Sequence, residues 1–268
     1  FTIFSMKNLK NNRRGFSVVE LVVVLVVISA VGMIGYYAYG KFNEKQSVPV
    51  TSANSQKVAK KSPAKIKHIG FNLDYYDPAT NKAGDMEFTK KAMSFPMMYM
   101  GYGFTVPASS AGPAKKNPQP TFILPLGTKV HALVDGEVFE VPKLYSNDYS
   151  VMIQGEGSDL IFETEHVINV VVKKGQKVKA GDVVAEVSDY DAKNWAGYGL
   201  FEIGVLKGGN PPSHLCTFDY LDDSIKDDVN AKLTALMKSW EQYRGDTSIY
   251  DEASAESPGC VTRDPIEG

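Results

Sequence analysis

The spacing of apolar and polar residues changes period several times along this chain, and each change predicts an element. From Leu21 to Tyr39 almost every residue is apolar and none is charged. A stretch of about 20 such residues spans a bilayer, whereas the apolar core of a cleaved secretory signal runs about 7–15. The pattern predicts a transmembrane helix over 16–46, stopped by Pro49. Residues 47–65 have no apolar period and are rich in Ser, Lys, Ala and Pro, which predicts a flexible linker.

Residues 66–107 carry many aromatics and methionines, among them Phe95, Met97, Met98 and Met100, and are expected to supply core or edge packing. Asp74, Asp77, Asn81, Asp85 and Glu87 surround a turn there, but their spacing is not that of an EF-hand loop, so a solvated hairpin is expected. A Pro-, Lys- and Ser-rich connector covers 108–120. Short apolar runs then follow at Val130–Leu133, Glu137–Val141, Ser150–Gln154, Leu160–Glu163, Ile168–Val172, Asp182–Val187 and Gly199–Leu206, punctuated by glycines. Strands at this spacing predict an antiparallel sheet or small barrel over 121–221. Over 222–245, Ile225, Val229, Leu233, Leu236, Trp240 and Tyr243 recur at helical steps, with Asp222 or Asp223 to open the helix and Gly245 to close it. This amphipathic helix is expected to lay its apolar stripe on the sheet, leaving an acidic, free tail over 246–268. The fold class is therefore mainly β with helices (α+β): an N-terminal membrane helix, a flexible linker, a barrel- or sandwich-like antiparallel head and a C-terminal helix.

Charge settles orientation. Lys7, Lys10, Arg13 and Arg14 precede the apolar run, which places residues 1–14 in the cytoplasm and the head in the periplasm or outside the cell, on a single-pass anchor in the inner or cytoplasmic membrane. A net charge of −2 and no basic stripe with interleaved aromatics give no reason to expect a nucleic-acid partner. The two cysteines, Cys216 and Cys260, both fall in the exported part, where an even count favours a disulfide. Phe1 to Ser5 precede the first methionine, Met6, and are expected to reflect where the reading frame was opened.

Glu20 is the anomaly in the anchor, because a carboxylate inside an apolar helix costs a few kcal/mol on insertion scales. With the basic leader, the Gly15-Phe16 junction and the aliphatic run, it resembles the class III signal of type IV prepilins and pseudopilins. The resemblance implies that a prepilin peptidase cuts after Gly15 and methylates Phe16. It also implies that Glu20 neutralises the amino terminus of a neighbouring pilin-like subunit. Where many members have a helix-loosening proline, this chain has Tyr37, and its helix is short for a pilin.

Within the head, Pro125-Leu-Gly127-Thr128, then Gly175-Gln-Lys-Val178-Lys-Ala-Gly181, then Gly199-Leu-Phe201-Glu202-Ile203 form an ordered series. The series resembles the core of lysostaphin- and LytM-type zinc endopeptidases, which cut peptidoglycan cross-bridges. Catalysis on zinc takes three protein ligands, a water and a base. The positions that the resemblance assigns to ligands and base fall on Asn117, Thr121, Tyr198 and Leu200, none of which replaces its counterpart, and His166 alone falls where the family has a catalytic histidine. The resemblance therefore implies a degenerate head with no catalytic residue, no metal and no cofactor, whose candidate binding groove is Asn117, Thr121, His166, Tyr198 and Leu200. Peptidoglycan is its expected ligand, a purely structural or adhesive minor-pilin role is the alternative, and an active zinc peptidoglycan endopeptidase ranks behind both. Two further sets, His68 with Asp74 and His214 with Cys216 and Asp219, are candidate metal ligands outranked by a surface histidine and a disulfide cysteine.

Overall fold

Glycine turns separate the strands as the apolar pattern requires, and in the computed structural model they pair into one large sheet. It describes residues 63–108, 113–189 and 197–267, all within one compact unit, Ala59–Gly268. The leader, Gly15, Phe16, Glu20, the 16–46 helix and the linker up to residue 62 lie outside the described residues. Among the described residues no helix is long and apolar enough to cross a membrane.

The main strands are β1 (Thr121–Pro125), β2 (Lys129–His131), β3 (Gly136–Glu140), β4 (Tyr149–Gly155), β5 (Ile161–Ile168), β6 (Val183–Val187), β7 (Tyr198–Lys207) and β8 (Ser213–Leu215), followed by one long helix, α1 (Asp223–Arg244). Two-residue strands add to the edges. In the sheet β3, β4, β5, β7 and β8 lie side by side, β1 pairs with β7, and β6 pairs with both β5 and β2. Every ladder is antiparallel.

Two expectations about strands change. The apolar runs at 160–163 and 168–172 do not make two strands, because β5 continues unbroken to Ile168 and Asn169 turns at φ 50°. Thr121–Pro125, which has no polar alternation, is a strand paired on both sides, with β7 and with Tyr99–Met100. A strand covered on both faces reads as a continuous apolar run, and Phe122, Ile123 and Leu124 are all buried.

The segment 66–107 is core, as its composition predicts. Phe71 packs on Phe122 and Phe201 of the sheet, with ring centroids at 4.8 and 5.9 Å. Lys82–Ala83 and Met86–Glu87 form the expected hairpin, and its acids are engaged locally: Asp85 accepts from the Asn72 N–H and Glu87 pairs with Lys82. Within the connector, Lys115–Lys116 pairs with Thr105–Val106 in a small two-stranded sheet of its own.

Helix α1 starts and ends where the sequence places it. Asp222 accepts from the Ser224 N–H at 3.0 Å, and Gly245, at φ 70°, closes the last turn. Its C-terminal half packs on the 66–107 segment. Trp240 is fully buried against Phe88 at 5.0 Å and donates to the Pro96 carbonyl, and Arg244 donates to the carbonyls of Met93 and Phe95. The aromatics of 66–107 already cover that part of the core and offer the helix its partner surface.

The tail beyond Asp246 is likewise built into the head and is not free. Cys216 and Cys260 form a disulfide, Ile266 pairs with His214 of β8, and the Tyr102 hydroxyl donates to the Asp264 and His214 carbonyls. Tyr250 accepts the N–H groups of Met98 and Tyr99 at its hydroxyl oxygen. Asp246, Asp251, Glu256, Asp264 and Glu267 are exposed, while Gly259 and Cys260 are buried and Tyr250 and Ile266 pack against the core.

Candidate functional site

Strand alternation puts Glu163 and Glu165 of β5 on one sheet face, and the register sets Glu165 directly opposite Glu202 of β7. A bulge between Thr164 and Val167 then breaks the alternation. His166 sits in it at φ 58°, a left-handed conformation uncommon outside glycine. The bulge lets two sequence neighbours, Glu165 and His166, join one cluster with Glu202, their ligand-type atoms all within 4.8 Å of one another.

His166 is held from behind. Its Nδ1 lies 3.1 Å from Asp148 Oδ2 and 3.3 Å from Ser146 Oγ. Asp148 also accepts from Ser146 and from Ser188 Oγ, the latter at 2.5 Å. An ionised carboxylate only accepts, so Nδ1 carries the hydrogen and Nε2 faces Glu202 Oε2 at 3.9 Å. Burial pushes the Asp148 carboxyl up, but hydrogen bonds from His166, Ser146 and Ser188 outweigh it and hold the group below its ordinary value. Burial opposes a charge on His166, yet the Asp148 hydrogen bond and the Glu202 charge raise it overall.

The acids behave differently. Burial, then the charges of Glu165 and Glu202, push Glu163 well above the usual carboxylate range. Burial and the Glu202 charge raise Glu165 to about 7, and burial raises Glu202. Two carboxylates in register on a half-buried face cannot both ionise cheaply without a counter-charge.

Of the five positions expected to form a groove, three join this network. Asn117 Nδ2 donates to Thr121 Oγ1 at 3.2 Å, and Thr121 Oγ1 donates to Glu202 Oε1 at 3.1 Å, so Asn117 and Thr121 connect to His166 through Glu202. Tyr198 bonds Thr89 through its hydroxyl instead, and Leu200 lies in register with Ile123. Asn117, Thr121, His166 and Tyr198 are buried, whereas Leu200, Glu165 and Glu202 are half-buried. An amide, a hydroxyl and an alkyl group at Asn117, Thr121 and Leu200 do not fit a zinc held in the way the resemblance implies.

Glu165, Glu202 and Asp148 are site residues that the sequence reading passed over. One signal was present: Glu163-Thr-Glu165 places two acids at strand spacing on one face beside a histidine. The remaining sets resolve simply. His68 lies beside His131, with ring centroids at 4.8 Å, and Cys216 is consumed by the disulfide while Asp219 pairs with Arg263. His214 Nδ1 approaches Glu163 Oε1 at 3.8 Å.

No curated protein matches the chain. Among solved structures it is similar to lysostaphin, at 19% identity and a TM-score of 0.34 over 41% of this chain and 43% of that one. It is similar to the catalytic domain of the prophage-encoded M23 protein EnpA from Enterococcus faecalis, at 24% identity and a TM-score of 0.34 over 43% of this chain and 84% of that one. A zinc-containing peptidase from Vibrio cholerae gives 20% identity and a TM-score of 0.34 over 55% and 39%. The chain thus spans under half the length of lysostaphin, with 43% covered. Residues 10–36 match the prokaryotic N-terminal methylation motif and residues 120–207 match peptidase family M23, so the chain carries a type IV pilin methylation signal followed by a lysostaphin-like peptidase-family domain.

Proposed function

We propose that this protein is a membrane-anchored, pilin-like subunit whose extracytoplasmic head binds cell-wall peptide or glycan without cutting it by the zinc chemistry of its family. The observation that carries this reading is the side-chain chemistry at the positions the resemblance assigns to ligands: Asn117 and Thr121 are tied to each other and to Glu202 by hydrogen bonds, and Leu200 offers no donor atom. The peptidase-like strands and turns are retained while the metal-binding groups are replaced. In this reading prepilin peptidase processes the chain at Gly15-Phe16, a single helix over 16–46 holds it in the inner or cytoplasmic membrane, and 47–65 tethers the head over 66–268. Glu20 pairs with the amino terminus of a neighbouring pilin-like subunit.

Co-sedimentation of the full chain in detergent with purified peptidoglycan tests the wall-binding part. Protein in the pellet, with the sacculus left intact, is the expected result. Protein that stays in the supernatant favours a structural or adhesive pilin role, and soluble wall fragments would show hydrolysis. Glu20→Ala is expected to abolish incorporation into filaments while leaving membrane insertion unchanged.

A further inference from the structure

The geometry points to a divalent transition-metal site built from Glu165, His166 and Glu202, a donor set distinct from Asn117, Thr121 and Leu200. One imidazole and two carboxylates suit a first-row dication such as zinc. Their donor atoms already lie within 4.8 Å of one another. Ligands of one tetrahedral ion, with bonds of about 2.0–2.2 Å, stand roughly 3–3.5 Å apart, so small side-chain rotations close the site.

Further features support the assignment. The imidazole is oriented by a carboxylate on its other nitrogen, Asp148, itself held by Ser146 and Ser188, which is how metal-bound histidines are fixed. Thr121 steadies Glu202 in the same way. Glu165 and Glu202 are direct cross-strand partners, and a cation between them would relieve the repulsion of two ionised acids in that relation. Glu165 and Glu202 are only half-buried, which leaves an ion an entry path and an open coordination position on the solvent side.

The site does not depend on wall binding and is tested without peptidoglycan. Full-length protein in detergent, stripped with a chelator and dialysed, is titrated with zinc by calorimetry, and with cobalt by visible absorbance as a report on coordination. Saturable binding of a single zinc per chain is expected. Glu165→Gln and Glu202→Gln should each weaken it by about tenfold or more and remove the cobalt band, while His68→Ala leaves both unchanged. Circular dichroism of the metal-free variants checks that they fold. If neither does, zinc-dependent shifts of the His166 imidazole resonances in the wild-type chain decide, and unshifted resonances overturn the site. Absent binding by the wild type, wild-type affinity in both glutamine variants, or loss of binding in His68→Ala would each overturn it too.

Discussion

Gly204 shows how much of the candidate site depends on one missing side chain. A Cβ there would lie 2.7 Å from Glu163 Oε1 and 3.1 Å from Gln119 Nε2, the two atoms that hydrogen-bond each other at 2.8 Å. Strand β7 therefore leaves a hollow in which β5 buries a carboxyl and its amide partner. Gly204→Ala is expected to cost about 1–3 kcal/mol, because the buried pair must move with nowhere to go. Gly208→Ala, where nothing lies within 4 Å, should stay within about 0.5 kcal/mol of the parent. Thermal melts of the two variants check this, and equal midpoints would remove the packing argument. At the same scale, His166 was visible in the sequence as a site residue, but its partners were not. Asp148 lies in a loop between strands, and no local pattern announces that it reaches the imidazole.

Helix α1 shows what propensity and periodicity decide and where they stop. Its cap at Asp222, its close at Gly245 and its apolar positions Val229, Leu233, Leu236 and Trp240 are local properties, each determined within one or two turns. Its partner is not local. Trp240 and Tyr243 pack with Phe88 and Tyr76, a partner surface in 66–107 that the helix's own periodicity does not name. Trp240→Ala should destabilise the head by about 3–5 kcal/mol, since it empties a fully buried site. Asp222→Ala, which removes only the N-terminal cap, should cost about 1 kcal/mol. Denaturant unfolding separates the two, and a Trp240 variant no worse than the cap variant would mean that this packing contributes little. The long strand β5 carries the same lesson, because it continues through the polar residues Glu163 to His166 and a bulge in its register with β4, held by pairing with three neighbours.

For the whole molecule, the disulfide and the tail make a closed unit of the head. Cys216 and Cys260 are 44 residues apart, and cross-linking them is worth about 4 kcal/mol in the chain-entropy model. A double Cys→Ser variant should lose about 2–5 kcal/mol. Its loss should be largest where the tail meets Tyr102, whose backbone bonds to Gly259 and Val261 tie the two segments together. Hydrogen exchange at Tyr102 and Val261 in the oxidised and reduced protein reads this directly. Protection that does not change would show that the Tyr102 contacts hold the tail without the covalent link. Gly259, at φ 91°, lets the turn pass Phe218, where a Cβ would come within 2.4 Å of the ring.

The sequence by itself determined the bilayer-length run with its acid at Glu20, the helix caps, the glycine turns and the paired cysteines, since each is a matter of neighbouring residues or of composition. It also held the ordered motifs of the head. Only the tertiary structure decided that Glu165, His166 and Glu202 meet, that Asp148 stands behind the histidine, and that the acidic tail is packed. Those outcomes depend on strand register, on a bulge and on which apolar surface is already covered, and these are set by contacts between segments far apart in the chain.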